Sequence, residues 1–166
     1  MPIITADGTI SKPVFNYGFA TKQDTQSFGA SASFTTISGL SVTMSLQNSS
    51  NYFFVIGQIS IGCASATSVI ATLQAGGTPI DALRHQSANN RIRTTSRTSQ
   101  DNRFECHTIP LMGIYTPGTT SSQTFTMAGS ANADVFYVNT SATSNNDTSR
   151  DSARTLTSLQ VFELGH

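Results

Sequence analysis

The chain has 166 residues with nine basic and nine acidic side chains, so its formal net charge is zero, and charged residues make up only 11%. Proteins that bind nucleic acids need clustered cations to displace phosphate counterions, so this composition argues against that class. With 37% hydrophobic residues, the chain also has too much apolar content and too little charge for intrinsic disorder. The length suits one domain with its own core.

The sequence contains no apolar run as long as a membrane span and no basic-then-apolar signal sequence. We therefore expect no membrane association and folding in a cytoplasm. Cys63 and Cys106 are the only cysteines, and their spacing does not match a metal site. We predict that both are free thiols, buried or half-buried, that act as small hydrophobic side chains.

The first 28 residues mix turn-forming Pro and Gly with isolated apolar side chains, which is too apolar for a solvated tail and too irregular for a helix. One interpretation is an N-terminal arm, residues 1–28, that docks on its own domain or on a neighbouring subunit. The other is an irregular first strand at a sheet edge. As an arm, the segment offers these possible contact residues: Ile3, Ile4, Phe15 and Tyr17. Residues 29–166 then form the β domain.

The clearest periodic pattern lies in residues 38–62. Apolar residues alternate with polar ones from Leu40 to Leu46, which is typical of a strand with one solvent-exposed face. After a polar turn at residues 47–51, residues 52–56 are all apolar, which predicts a strand buried on both faces. Two strands with a short polar connection predict a hairpin whose apolar face is covered by the rest of the chain.

Further strands follow toward the C-terminus. Residues 69–75 alternate and end in a tight turn at Gly76 and Gly77. A strand at 104–114 has a predicted phase change near Pro110, and the last strand, 155–164, has a parity switch that predicts a bulge or burial on both faces. No segment keeps a helical period. About eight short strands separated by turns predict an all-β fold, an antiparallel β-sandwich or jelly roll.

Five of the nine basic residues lie between positions 84 and 103. They are Arg84, Arg91, Arg93, Arg97 and Arg103. One interpretation is a basic ridge for an acidic partner surface or a phosphate. The other, which we favour, is pairing within the chain or between subunits, with acids such as Asp147 and Asp151.

Residue patterns that carry catalysis or bind metals are sparse. His85, His107 and His166 form no zincin-type or cupin-type motif, and the segment 145–151 lacks the spacing of a calcium loop. No two acids are placed as a general acid and base, and the chain has no G-x-S-x-G and no glycine-rich phosphate loop. We therefore expect no enzyme activity, no catalytic residues, no metal, no cofactor and no small-molecule substrate.

Several segments together resemble the small β domains of tailed-phage virion proteins, over residues 20–164. They are a Thr/Ser-rich leader at 20–28, the strand pattern at 33–44, an apolar strand at 51–61, the V-N-T-S segment at 138–141 and a final strand at 157–164. The resemblance implies a jelly-roll or C1q-like build, a trimer, and a place in capsid decoration or at fibre tips. It implies no catalytic residues.

The sequence lacks the heptads and repeats of a fibre shaft. We therefore expect a homotrimeric capsid decoration (cement) protein that binds the major capsid protein on the virion surface and assembles in the host cytoplasm. The low charge predicts hydroxyl and apolar contacts that salt weakens little. The alternative is a tail-fibre receptor-binding knob that recognises a host glycan through loops at 116–122 and 141–152. A free carbohydrate-binding or hydrolytic jelly roll is disfavoured, because Trp and paired carboxylates are missing.

Overall fold

The computed structural model of the chain describes residues 3–4, 10–11, 14–84, 92–100, 103–142 and 155–165. Regular structure in these residues is β, apart from one turn of 3-10 helix at Asp81–Leu83. The strands are β1 Ile3–Ile4, β2 Ile10–Ser11, β3 Val14–Lys22, β4 Gln26–Phe28, β5 Thr35–Met44, β6 Tyr52–Cys63, β7 Thr67–Ala75, β8 Thr78–Pro79, β9 Ser96–Gln100, β10 His107–Tyr115, β11 Gln123–Ala131, β12 Phe136–Val138 and β13 Thr157–Leu164.

Two antiparallel sheets face each other, which confirms the predicted β-sandwich. In the six-stranded sheet, β13 and then β3 lie on one side of β6, and β10 lies on the other. β12 pairs with the last three residues of β6, and β4 pairs with β12. In the five-stranded sheet, β11 lies between β5 and β7, and both β8 and β9 pair with β7. The sheets hold more strands than the eight expected, because β4, β8 and β12 are too short to show a period.

The core lies between the inner faces of the two sheets. Phe53 of β6 and Phe125 of β11 are fully buried and meet edge to face, with ring centroids 4.9 Å apart. Leu73 of β7 and Leu111 of β10 are buried beside them. Because side chains alternate along a strand, every strand also points half of its residues away from this core.

The predicted hairpin between β5 and β6 is wrong. The two strands belong to opposite sheets, since β5 pairs with β11 and β6 pairs with β10 and β13. Residues 47–51 cross from one sheet to the other and are held by the buried carboxylate of Glu163, which accepts hydrogen bonds from the Gln47 backbone N–H (2.6 Å) and Asn51 Nδ2 (2.7 Å). Alternation reveals a strand and its buried face, but it does not identify the neighbouring strand.

Two predicted irregularities are also absent where the sequence placed them. β10 keeps one register with β6 from His107 to Tyr115, with no phase change at Pro110. In the last strand, Leu156 precedes β13, and alternation is continuous through the strand. The register shift occurs instead near its end, between Glu163 and Leu164, where β13 pairs with β3.

The early part of the chain contributes a sheet edge. β3 pairs with β13 along its whole length, so residues 14–22 match the second interpretation, a first strand at an edge. Lys22 ends this strand with its side chain buried and its Nζ 2.7 Å from Asp24 Oδ2. The tight turn predicted between β7 and β8 is confirmed: Gly76 and Gly77 have φ of 58° and 77°, a region in which glycine is favoured.

Candidate docking surface

The outer face of the six-stranded sheet is lined by apolar side chains from four neighbouring strands. Strand register places them in two adjacent cross-strand rows. One row runs Tyr17, Phe162, Phe54 and Ile114 across β3, β13, β6 and β10, and the next runs Phe19, Gln160, Ile56 and Met112. Seven of these eight residues are hydrophobic and one, Gln160, is an exposed amide. We call the eight residues the apolar face.

The side chains at both margins of the apolar face are largely exposed. The exposed fraction is 64% for Tyr17 and 67% for Phe19 on β3, and 61% for Met112 and 54% for Ile114 on β10. The central Phe162 is half-buried because its ring lies 6.4 Å from the Tyr17 ring and 6.5 Å from the Phe54 ring, centroid to centroid. The result is one continuous hydrophobic patch, a feature that usually marks an interaction site.

The apolar face carries no charge. Its eight residues include none that ionises near neutral pH, and the next cross-strand row is Thr21, Ser158, Gln58 and Pro110. Association through such a surface depends on burial of apolar area, and salt affects this driving force much less than it affects ion pairing.

The outer face of the five-stranded sheet is different in character, because hydroxyl and amide groups line it. Gln74 Oε1 accepts hydrogen bonds from Thr36 Oγ1 (2.9 Å) and Thr126 Oγ1 (3.0 Å). The hydroxyls of Thr43 and Thr124 lie 2.9 Å apart on neighbouring strands. Such groups satisfy one another and also bond water, so this face is suited to solvent, whereas the apolar face is not.

Sequence reasoning missed most of the apolar face, although β6 contained the signal. The run from Tyr52 to Ile56 is apolar at every position and was predicted to be buried on both faces. In a two-layer sandwich each strand has only one inner face, and Phe53 and Val55 occupy it, while Phe54 and Ile56 point outward. A strand that is apolar throughout in a two-layer fold therefore indicates an apolar outer surface.

The N-terminal contact residues proposed from the sequence fall in two places. Tyr17 lies on the apolar face, and Phe15, with an exposed fraction of 41%, lies two residues before it, at the register shift in β3. Ile3 and Ile4 form β1, which pairs with β2.

The arginine cluster is divided among several local contacts. Arg84 and Arg93 both pair with Asp81, and the Arg93 Nη1 to Asp81 Oδ1 distance is 3.3 Å. The hydrogen bond from Arg84 and the nearby charge of Arg93 hold the pKa of Asp81 below its usual range. Arg97 Nη2 donates to Ser68 Oγ at 2.7 Å, and the Arg103 guanidinium lies 5.0 Å from the centre of the Phe104 ring.

These four arginines therefore each contact a residue that is near in the sequence or on a paired strand. Asp81 was not among the acids suggested from the sequence. Arg91, Asp147 and Asp151 lie outside the described residues.

An open groove of about 960 Å³ lies on the outer face of the five-stranded sheet. The groove is lined by Ala30, Ile70, Ile92, Arg97 and Ser130, among others. The polar groups in it bond within the chain, since the Ser130 hydroxyl donates to the Ser31 carbonyl and Arg97 bonds Ser68. This groove is therefore a less distinctive candidate than the apolar face.

Titratable side chains do not gather into a metal site in the described ranges, where no group of three or more His, Cys, Asp or Glu side chains is suitably placed. His107 Nε2 lies 3.1 Å from Glu105 Oε2. Cys63 is buried and Cys106 half-buried, and both are free thiols, as predicted. Burial, with a smaller contribution from the Asp134 carboxylate, raises the pKa of Cys63 to about 12. In the same ranges, no helix is long and apolar enough to cross a membrane.

No protein-family model matches the sequence, and no curated protein matches it. Solved structures with a similar arrangement come from infectious bursal disease virus. The T13 viral particle aligns with a TM-score of 0.45 and 12% identity, covering 99% of this chain and 44% of that chain. The VP2 subviral particle gives 0.41 and 10%, with the same coverage, and the Gx strain structure gives 0.41 and 12%, covering 99% and 46%.

This chain thus spans less than half the length of those viral chains. A TM-score below 0.5 does not establish a common fold, so the function of this chain is argued from its own residues.

Proposed function

We propose that this chain is a non-enzymatic structural protein of a virus particle, a homotrimeric decoration (cement) protein that binds the major capsid protein and stabilises the shell. The resemblance of residues 20–164 to small virion β domains suggests the class of particle. In this proposal the protein is assembled in the host cytoplasm and resides on the capsid surface. Its partners are copies of itself and the capsid protein.

The apolar face is the observation that carries the proposal. A protein that works alone in water rarely exposes rings and aliphatic chains at Tyr17, Phe19, Met112 and Ile114 together on one sheet. A protein that functions in an assembly buries such a surface against its partners. The low overall charge agrees with this role, since neutral subunits can pack at high density without mutual repulsion.

The experiment that tests the function is the copy number of this chain in purified virions, measured by mass spectrometry against the major capsid protein. A decoration protein is expected at a ratio near that of the capsid subunits. A few copies per particle would assign the chain to a tail or fibre tip. Absence from the virion would overturn the proposal.

A further inference from the structure

We infer that the apolar face is the surface through which copies of this chain pack against one another. The inference deepens the proposed function by naming the surface that joins the subunits. Only the expected number of copies, three, rests on the proposed function. The packing itself follows from the size, charge and position of the face.

The size of the face fits a subunit contact. With strands about 4.8 Å apart and cross-strand rows about 6.8 Å apart, the two rows of the apolar face cover roughly 19 by 14 Å. The uncharged rows that begin at Val14 and Thr21 lie on either side, and the four rows together cover roughly 19 by 27 Å, or about 500 Å² in projection. A standard interface takes about 800 Å² from each partner. The four uncharged rows therefore supply somewhat more than half of such a contact, and the exposed Phe15 beside them extends the area.

The absence of charge favours a second copy of the chain as the occupant. In a ring of three identical chains each contact joins two different parts of the surface, so a charged side chain on one part stays unpaired unless the other part carries an opposite charge, and burial of an unpaired charge is unfavourable. The cross-strand rows that begin at Tyr17, Phe19 and Thr21 on β3 contain no charged residue. Neighbouring copies can therefore bury these rows without leaving a charge unpaired.

The position of the most exposed side chains indicates that both margins of the face take part. Tyr17 and Phe19 lie on β3, which is one edge of the sheet, and Met112 and Ile114 lie on β10, across β6 and β13 from it. A partner that covers the half-buried centre, Phe54 and Phe162, must also contact these margins. Substitution at either margin is therefore expected to weaken the same contact.

The test compares single substitutions on the two outer faces of the full-length protein. Phe19→Asp and Met112→Asp each place a carboxylate at one margin of the apolar face. Ser41→Asp is the matched control, because Ser41 is exposed on β5 in the opposite sheet. The mass of each protein in solution is measured by light scattering over roughly 1–100 µM, and circular dichroism and cooperative thermal unfolding verify that each is folded.

We expect the unchanged protein and Ser41→Asp to form the same oligomer, and both margin variants to raise its dissociation constant at least about 100-fold. Two margins are tested so that misfolding of one variant leaves the other as the deciding measurement. A monomeric unchanged protein, or folded margin variants with unchanged assembly, would overturn the inference.

These outcomes are separate from those of the virion measurement. A protein that is monomeric in solution yet abundant in virions would retain the proposed function and assign the apolar face to the shell. A protein that assembles through this face but is absent from virions would retain the inference and lose the function.

Discussion

Glu163 shows how one side chain fixes a crossing between the two sheets. Its side chain is fully buried, and Oε1 accepts from both the Gln47 backbone and the Asn51 amide. The other oxygen, Oε2, has no hydrogen-bond partner among the described residues. The Oε1 atom is therefore a single acceptor for one buried donor, the Asn51 amide, and one part-buried donor, the Gln47 backbone N–H.

We predict that Glu163→Ala lowers the free energy of unfolding by about 3 kcal/mol, because the buried Asn51 amide and the part-buried Gln47 backbone N–H lose their acceptor and a cavity forms. Glu163→Gln keeps a carbonyl oxygen for both donors and is expected to lose about 1 kcal/mol. Urea unfolding followed by fluorescence or circular dichroism measures both. An equal loss of unfolding free energy in the two variants would show that the hydrogen-bond acceptor at position 163 does not stabilise the fold.

The two thiols are expected to differ in reactivity. Burial raises the pKa of Cys63 to about 12 and also raises the pKa of Cys106, so neither is appreciably ionised near neutral pH, and Cys63 is in addition inaccessible. At about pH 8.5, iodoacetamide should modify the half-buried Cys106 first and leave Cys63 unmodified until the chain unfolds. Peptide mass spectrometry with urea-unfolded protein as control measures this, and early modification of Cys63 would contradict the buried position.

At the scale of elements, β6 organises the molecule, since three strands, β10, β12 and β13, pair with it. Its inner face packs in the core, and its outer face carries Phe54 and Ile56. Near the C-terminal end of β6, residues 140–141 cover the strand so closely that a Cβ on Gly62 would collide with the Thr140 carbonyl and lie 2.6 Å from Ser141 Cα.

We predict that Gly62→Ala destabilises the fold by about 2–3 kcal/mol, because the atoms in the way belong to the backbone and cannot move aside as a side chain can. Gly29→Ala is the matched control, since no atom lies within 4 Å of the corresponding Cβ. The control should be neutral or slightly stabilising. Thermal unfolding of both variants provides the comparison, and a neutral Gly62→Ala would mean that residues 140–141 lie farther from β6.

For the whole molecule, the difference between the two outer faces is the main functional feature. Thr, Ser and Gln side chains bond one another on the five-stranded sheet, while aromatic and aliphatic side chains line the six-stranded sheet. With a charged fraction of 11%, we expect ion pairs to have little part in contacts of this molecule with others. Binding is therefore expected to depend on apolar burial.

We predict that binding of the protein to capsids changes less than about twofold in dissociation constant between about 0.1 M and 1 M NaCl, because screening acts on charges and not on apolar contacts. Co-sedimentation with capsids that lack the protein measures the affinity at each salt concentration. A tenfold or larger weakening would show that charged groups, such as the arginines at 84–103, dominate the contact.

The sequence alone determined most of the longer strands, the inner faces of β5 and β7, the Gly76–Gly77 turn and the two free thiols. These depend on neighbouring residues, because alternation and positive φ are local properties of the chain. Pairing of β5 with β11 and the hydrogen bonds that Glu163 accepts from Gln47 and Asn51 depend on residues brought together only by folding. The apolar face belongs to this second group: only the number of layers decides whether Phe54 lies in a core or at a surface, and that number is a property of the whole fold.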